Sequence, residues 1–366
     1  MALDLGAPVE DLARALVDIP SVSGEETALA DQIEAALAPL GHLEVTRLGD
    51  AVVARTSSGR AERVILAGHI DTVPIAGNVP ATLSADGTEL IGRGAVDMKA
   101  GVAVFLSLAA SLTAPLRDVT FVFYDHEEVE AVHNGLGRIS RERPDVLAGD
   151  FAILGEPTAG VIEGGCNGTL RADVTLRGVA AHSARSWKGV NAIHLAAPLL
   201  GRLAAYKPFT VEVDGLEYRE GLNAVGIRGG IAGNVVPDEC TVSINFRFAP
   251  TTDVEHAQRR LEIFVNDTFE GSGVTPELVW TDLSPGARPG LTAPLARAFA
   301  DAVARTGVAA PRAKQGWTDV ARFAELGIPA VNYGPGDPEL AHADDERCEL
   351  AQIRACREAL ASWLAS

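Results

Sequence analysis

Two histidines and five carboxylates in this chain have the types and spacing to hold a pair of metal ions. They are His69 and Asp71 in Gly68-His69-Ile70-Asp71, Asp97 in Gly94-Ala95-Val96-Asp97-Met98-Lys99, Glu127-Glu128, Glu156 in Gly155-Glu156-Pro157, and His342. Catalytic zinc takes imidazole nitrogen and carboxylate oxygen and keeps one position open for water. Two such ions ~3.5–4 Å apart need one carboxylate shared between them and separate ligands on each side. Asp97 is the natural bridge, His69 and Glu156 complete one site, and Glu128 and His342 complete the other. Asp71 lies two residues beyond His69, where it can accept the other ring N–H and fix the tautomer. Glu127 is left over beside a ligand, which suits a general base acting on a metal-held water.

Each piece alone has an ordinary explanation. A His-x-Asp is commonly a surface turn, paired glutamates commonly open a solvated helix, and His342 stands in an acidic stretch with Glu339, Asp344, Asp345 and Glu346. What ordinary surface residues do not explain is the shared placement. Val64–Ala67 precedes His69, Val119–Tyr124 precedes Glu127, Phe151–Leu154 precedes Glu156, and Pro329–Tyr333 precedes the loop of His342. These apolar, β-branched runs read as buried strands of a largely parallel sheet. Ligand sites in such sheets gather beyond the carboxyl ends of the strands, so residues far apart in sequence converge.

The rest of the chain must supply the scaffold. Its 366 residues, 47% hydrophobic, can bury a large core, and a net charge of −18 argues against nucleic acid or an anionic membrane surface as partner. Cys166, Cys240, Cys348 and Cys356 form no C-x-x-C pair and read as buried free thiols of a cytoplasmic protein. The start of the chain lacks the charged and apolar regions of a signal peptide, and Gly101–Leu112 is too short to span a bilayer.

Glu10–Asp18 and Glu25–Leu37 read as helices, with Ser23 placed to cap the second. The αβ pattern then runs to about Gly165. Beyond it come a strand over Thr169–Leu176, a helix over Asn191–Tyr206, strands over Ile227–Ala232 and Thr241–Phe248, a helix over Val254–Phe269 and a strand over Glu277–Leu283. That order is a ferredoxin-like β-α-β-β-α-β block inserted into an α/β domain. The predicted division is 1–167 with 284–366 for a mostly parallel-sheet catalytic domain, and 168–283 for the insertion. Helices over Leu295–Arg305 and Cys348–Leu364 close the chain.

Other catalytic signatures fail. His126-Glu127-Glu128-Val129-Glu130 lacks the second histidine of a zincin, and no G-x-S-x-G, Walker A loop or G-x-G-x-x-G occurs. His42, His126, His133, His194 and His256 have no paired context. The spaced set, with the Ile19-Pro20-Ser21-Val22-Ser23-Gly24-Glu25 opening and the insertion, resembles the M20 metallopeptidase and deacylase family over essentially the whole length.

That resemblance implies two zinc ions, with cobalt able to substitute, the ligand set above, and Glu127 as base. It further implies that the insertion is a lid and dimerisation domain of a homodimer. His182, in Arg177-Gly178-Val179-Ala180-Ala181-His182-Ser183, would then reach the partner's active site and steady the oxyanion. It points to Asn234, Arg247, Thr318 and Arg322 as contacts to a small anionic N-acyl amino-acid substrate. Within the family, Glu163-Gly164-Gly165-Cys166-Asn167-Gly168-Thr169 resembles a desuccinylase branch, implying N-succinyl-L,L-diaminopimelate as substrate. Other desuccinylases carry an arginine pair near Cys166 and Asn167, and the Thr318–Arg322 segment is one residue longer than the commoner form. Two alternatives follow: another family hydrolase such as an acetylornithine deacetylase, an N-acyl-amino-acid amidohydrolase or a dipeptidase, or a non-catalytic metal-binding protein.

Overall fold

The structure is a computed structural model that describes residues 3–365; positions 1, 2 and 366 lie outside the described residues. The chain forms two compact units. One contains the residues up to Gly165, Pro289–Lys314 and the chain from Thr318 onward; the other contains Cys166–Arg288 and Gln315–Trp317.

The first unit is built on an eight-stranded sheet whose central four strands are parallel, in the order Asp118–Tyr124, Arg63–His69, Phe151–Leu154 and Ala330–Asn332. These are the apolar runs expected from the sequence, and nearly every residue in them is buried. Such strands are covered on both faces, which is why they do not alternate. Helix Lys99–Ser111 is apolar all round and contacts both the Arg63–His69 strand and helices Val9–Val17 and Leu350–Ala365, so it too lies inside the unit.

Its first turn sits unusually close to the sheet. A Cβ on Gly101 would stand 2.1 Å from the Gly155 carbonyl oxygen, so only glycine lets the helix seat against the turn that carries Glu156.

Three local expectations are corrected. Ser23 does not cap the second helix, which begins at Thr27 with Glu26 at its N-cap; the Ser23 hydroxyl instead donates to Asp71. Cys348 lies in a short strand, Arg347–Glu349, and the last helix starts only at Leu350. The strand read over Ile227–Ala232 is Gly221–Gly229, because its exposed, glycine-rich start hides the alternation.

The second unit is a four-stranded antiparallel sheet ordered Gly221–Gly229, Glu239–Phe248, Gly168–Arg177 and Glu277–Ser284. Helices Ala192–Ala204 and Val254–Phe269 contact each other and the sheet. The alternation Cys240, Val242, Ile244, Phe246, Phe248 faces them and forms this unit's own core. An additional hairpin, Thr210–Val213 with Leu216–Arg219, was not foreseen. All four cysteines are buried and free. Among the described residues no helix is long and apolar enough to cross a membrane.

Candidate metal centre

Parallel pairing brings the predicted ligands together at one end of the first unit's sheet. His69 ends its strand, Glu127 and Glu128 follow Tyr124, Glu156 follows Leu154, and Asp97 precedes the buried helix. Their donor atoms fall into two groups that match the expected sites: His69, Asp97 and Glu156, and Asp97, Glu128 and His342. A third grouping places Glu127 beside His69 and Glu128.

Asp97 has the geometry of a shared ligand. Its Oδ1 is 3.1 Å from His69 Nε2 and its Oδ2 is 3.3 Å from His342 Nε2, so one carboxylate faces both imidazoles. His342 Nε2 is also 3.1 Å from Glu128 Oε1. His342 has φ of +66°, a left-handed conformation that is strained for a histidine and is typically retained where function requires it.

Electrostatics show why this cluster calls for cations. Burial drives the Glu156 carboxyl up to about 7, helped by the charge of Asp97. Burial also raises Glu127 well above the usual carboxylate range, with Glu128, Asp319 and Glu156 adding to the effect. Burial raises Glu128 as well. Burial opposes charge on His69, but its hydrogen bonds to Asp71 and Asp97 and their charges outweigh that and raise its pKa well above the ordinary value. Hydrogen bonds to Asp97 and Glu128 push His342 up to about 10. Glu156 Oε1 is buried with no hydrogen-bond partner. An orphaned carboxylate oxygen among acidic groups and imidazoles is the donor set that a pair of divalent metals satisfies.

The supports are as specific as the ligands. Asp71 Oδ1 accepts the Glu127 N–H at 3.0 Å, while its Oδ2 accepts the Glu128 N–H at 3.0 Å and the Ser23 hydroxyl at 2.7 Å. His69 Nδ1 lies 3.0 Å from the Asp71 backbone oxygen and 3.4 Å from its carboxylate. One aspartate thus positions the His69 imidazole and the backbones of Glu127 and Glu128. We expect Asp71→Asn to weaken zinc binding ~10–100-fold, the usual cost of losing such an outer contact. Competition against a chelator measures it; an unchanged affinity would count against this role.

Two supports were missed from sequence. Glu346 is buried; its Oε1 accepts the N–H groups of Val96 and Asp97, and its Oε2 pairs with Arg93 at 2.9 Å. In sequence Glu346 is one more acidic residue flanking His342, and nothing local ties it to residues some 250 positions earlier. Lys314 is the other: it lies 3.2 Å from Glu163 Oε2 and donates to the Pro157 carbonyl at 3.4 Å, bracing the turn after Glu156.

Of the substrate-side candidates, Thr318 donates its hydroxyl to Asn332 Oδ1 at 2.9 Å, and Arg322 donates through Nε to Asp319 at 2.6 Å. Both side chains therefore already have partners inside the first unit. His182, Asn234 and Arg247 belong to the second. There His182 is exposed and pairs with Val235, and the N–H of Ser183 donates to the Asn234 carbonyl, so His182 and Asn234 are neighbours.

Metal uptake should depend on pH with a definite sign. Ligation needs neutral imidazole and ionised carboxylate, whereas raised pKa values keep protons on His69, His342 and Glu156 in the metal-free protein. Apparent affinity should therefore rise with pH from 6 to 8, gaining roughly tenfold per unit for each proton displaced, and filling both sites at pH 8 should release about two protons. Calorimetry in buffers of different ionisation heat counts them. Uptake without proton release would contradict the imidazole assignments.

Residues 65–366 match the model of peptidase family M20/M25/M40. A putative succinyl-diaminopimelate desuccinylase DapE of Mycobacterium tuberculosis is 54% identical over 364 residues, covering 99% of both chains. A succinyl-diaminopimelate desuccinylase of Corynebacterium glutamicum is 49% identical over 360 residues, covering 95% of this chain and 94% of that one. In fold, a tripeptidase from Staphylococcus aureus superposes with a TM-score of 0.81 at 21% identity, covering 100% of this chain and 99% of that one. The chain belongs to the M20/M25/M40 peptidase family. It is a metal-dependent amidohydrolase.

Proposed function

We propose that this protein hydrolyses N-succinyl-L,L-2,6-diaminopimelate to succinate and L,L-2,6-diaminopimelate, using two zinc ions for which cobalt can substitute. The observation that carries the reading is the joint one: two clusters of His and carboxylate groups able to hold metal ions, in a chain about half identical, end to end, to desuccinylases. His69, Asp97 and Glu156 would hold one ion, and Asp97, Glu128 and His342 the other. The bound ions would supply Lewis acidity, acidifying a water and polarising the acyl carbonyl.

The chain's own groups then do the proton work. Glu127 accepts the proton of the attacking water on its carboxylate and returns it to the departing amine nitrogen. Its position beside both His69 and Glu128, with its backbone held by Asp71, suits that exchange. Asp71 holds His69 in one orientation and steadies the Glu127 backbone. His182 stabilises the oxyanion, and Asn234, Arg247, Thr318 and Arg322 contact substrate. The insertion, about 168–283, serves as lid and dimerisation domain, and the enzyme works in the cytoplasm.

A panel assay of succinyl-diaminopimelate, acetylornithine, N-acyl amino acids and dipeptides tests the substrate. Preference for the succinyl compound is expected; preference for any other would move the enzyme elsewhere in its family.

His182 is proposed to act across a two-fold dimer, so that each active site borrows one histidine. Mixing inactive His182→Ala with inactive Glu127→Ala protomers should restore up to about half of the activity per heterodimer, since one of two symmetric sites regains both groups. Heterodimers that stay inactive would place His182 in its own chain's site or in neither.

A further inference from the structure

The segment Ser21–Glu26 is fastened along the turn that carries Asp71. Val22 bridges Thr72 in parallel, the Thr72 N–H donates to the Ser21 carbonyl at 2.9 Å, and the Ser23 N–H donates to the Thr72 carbonyl at 3.1 Å. The Ser21 hydroxyl adds a bond to the Ile70 carbonyl at 2.7 Å. The segment ends at Glu26, the N-cap of helix Thr27–Leu37. A polar N-cap side chain usually bonds its own helix. That of Glu26 makes no such bond and is fully buried. It reaches away from the helix, where its Oε1 accepts the His126 N–H at 3.1 Å and lies 3.3 Å from His126 Nδ1.

His126 has φ of +58°, a left-handed conformation that side chains other than glycine adopt at a cost and keep only where neighbours hold them. The hydrogen bonds show what that conformation achieves. The N–H groups of His126, Glu127 and Glu128 follow one another, and buried carboxylates take all three: Glu26 the first, Asp71 the next two. A left-handed residue curls successive N–H groups inward into a concave seat for anionic oxygen. Asp71 grips only the residues after His126, so the left-handed residue itself depends on Glu26. Its ring is held too, with Nδ1 2.8 Å from Asp125 Oδ2.

We propose that Glu26 is a positioning residue for the reaction: by holding His126 in its left-handed conformation, it sets the direction in which the Glu127 side chain leaves the loop. This rests on the proposed role of Glu127 as base. Without Glu26 the His126 N–H loses its acceptor, residue 126 relaxes toward negative φ, and the Glu127 carboxyl moves out of line with the attacking water. Glu128 keeps its bond to Asp71 and its contact with His342, so metal binding is spared.

The test combines zinc content, steady-state kinetics on succinyl-diaminopimelate and amide hydrogen exchange of residues 126–128, all on the full chain. Glu26→Ala should keep its zinc and lose ~10–100-fold in kcat with KM nearly unchanged, the mark of a misplaced reacting group. Glu26→Asp, one methylene too short to reach His126, should behave alike and carries the test if the alanine variant does not fold. Glu26→Gln, whose amide oxygen still accepts the N–H, should lose less. Glycine takes positive φ without a side-chain penalty, so His126→Gly added to either shortened variant should recover part of the loss. Unchanged kcat, zinc lost in step with kcat, or no recovery from glycine would overturn the proposal. Exchange reads the loop without turnover, and the His126 and Glu127 amides should exchange at least ~10-fold faster in Glu26→Asp. Faster exchange beside a fully active Glu127→Ala would remove the base and leave Glu26 holding the loop; unchanged exchange would remove the role of Glu26 whatever Glu127 does.

Discussion

Glu127→Ala should retain its full metal content and lose ~10²–10⁴-fold in turnover, the range expected when a general base is removed. The reason lies in how the residue is held. Asp71 fixes the N–H groups of both Glu127 and Glu128, but only Glu128 reaches His342, at 3.1 Å, and joins the Asp97 group. Glu127 lies close to His69 and Glu128 without being needed to complete either site. A ligand would take metal with it when deleted; a base would not. Metal analysis beside steady-state kinetics separates the two, and loss of one metal equivalent in Glu127→Ala would make it a ligand.

Asp97→Ala should have the larger effect on metal itself. Asp97 is the only residue common to both predicted sites, and its two oxygens face different histidines at 3.1 and 3.3 Å. Removing it leaves each site one ligand short and leaves two cations without the charge between them. Both ions should be weakened together, and activity should fall at least ~10³-fold, beyond the ~10–100-fold cost of an outer contact. Loss of His342 alone should release one ion preferentially. Two full equivalents retained by purified Asp97→Ala would remove the bridging role.

Among the candidate ligands, His69, Glu128 and Glu156 were legible in the sequence because each sits at or just beyond the end of an apolar run. Parallel pairing then does the rest: once Val64–Ala67, Val119–Tyr124 and Phe151–Leu154 lie side by side, His69, Glu128 and Glu156 must meet. Their supports follow a different logic. Glu346 reaches Asp97 and Ser23 reaches Asp71 through single hydrogen bonds across long stretches of chain, and no periodicity encodes such a contact. A serine shortly before an apolar run suits a helix cap. Here the buried carboxylate of Asp71 competes for its hydroxyl and wins.

The Thr210–Arg219 hairpin carries a sequence signal at its turn. Asp214 and Gly215 have φ of +50° and +85°, the pattern of a tight hairpin turn, and Asp-Gly between alternating residues is its sequence mark. The substrate-side residues were harder to place because nothing in their spacing distinguishes a contact from a scaffold; only the hydrogen bonds of Thr318 and Arg322 show that both already hold the fold.

The most direct test of the central claim is succinate release from N-succinyl-L,L-diaminopimelate while zinc is titrated into metal-free protein. Turnover should be absent without metal, appear as zinc is added, and level off at two equivalents per chain. A rate that levels off at one equivalent, or succinate released at the same rate with no metal present, would contradict it.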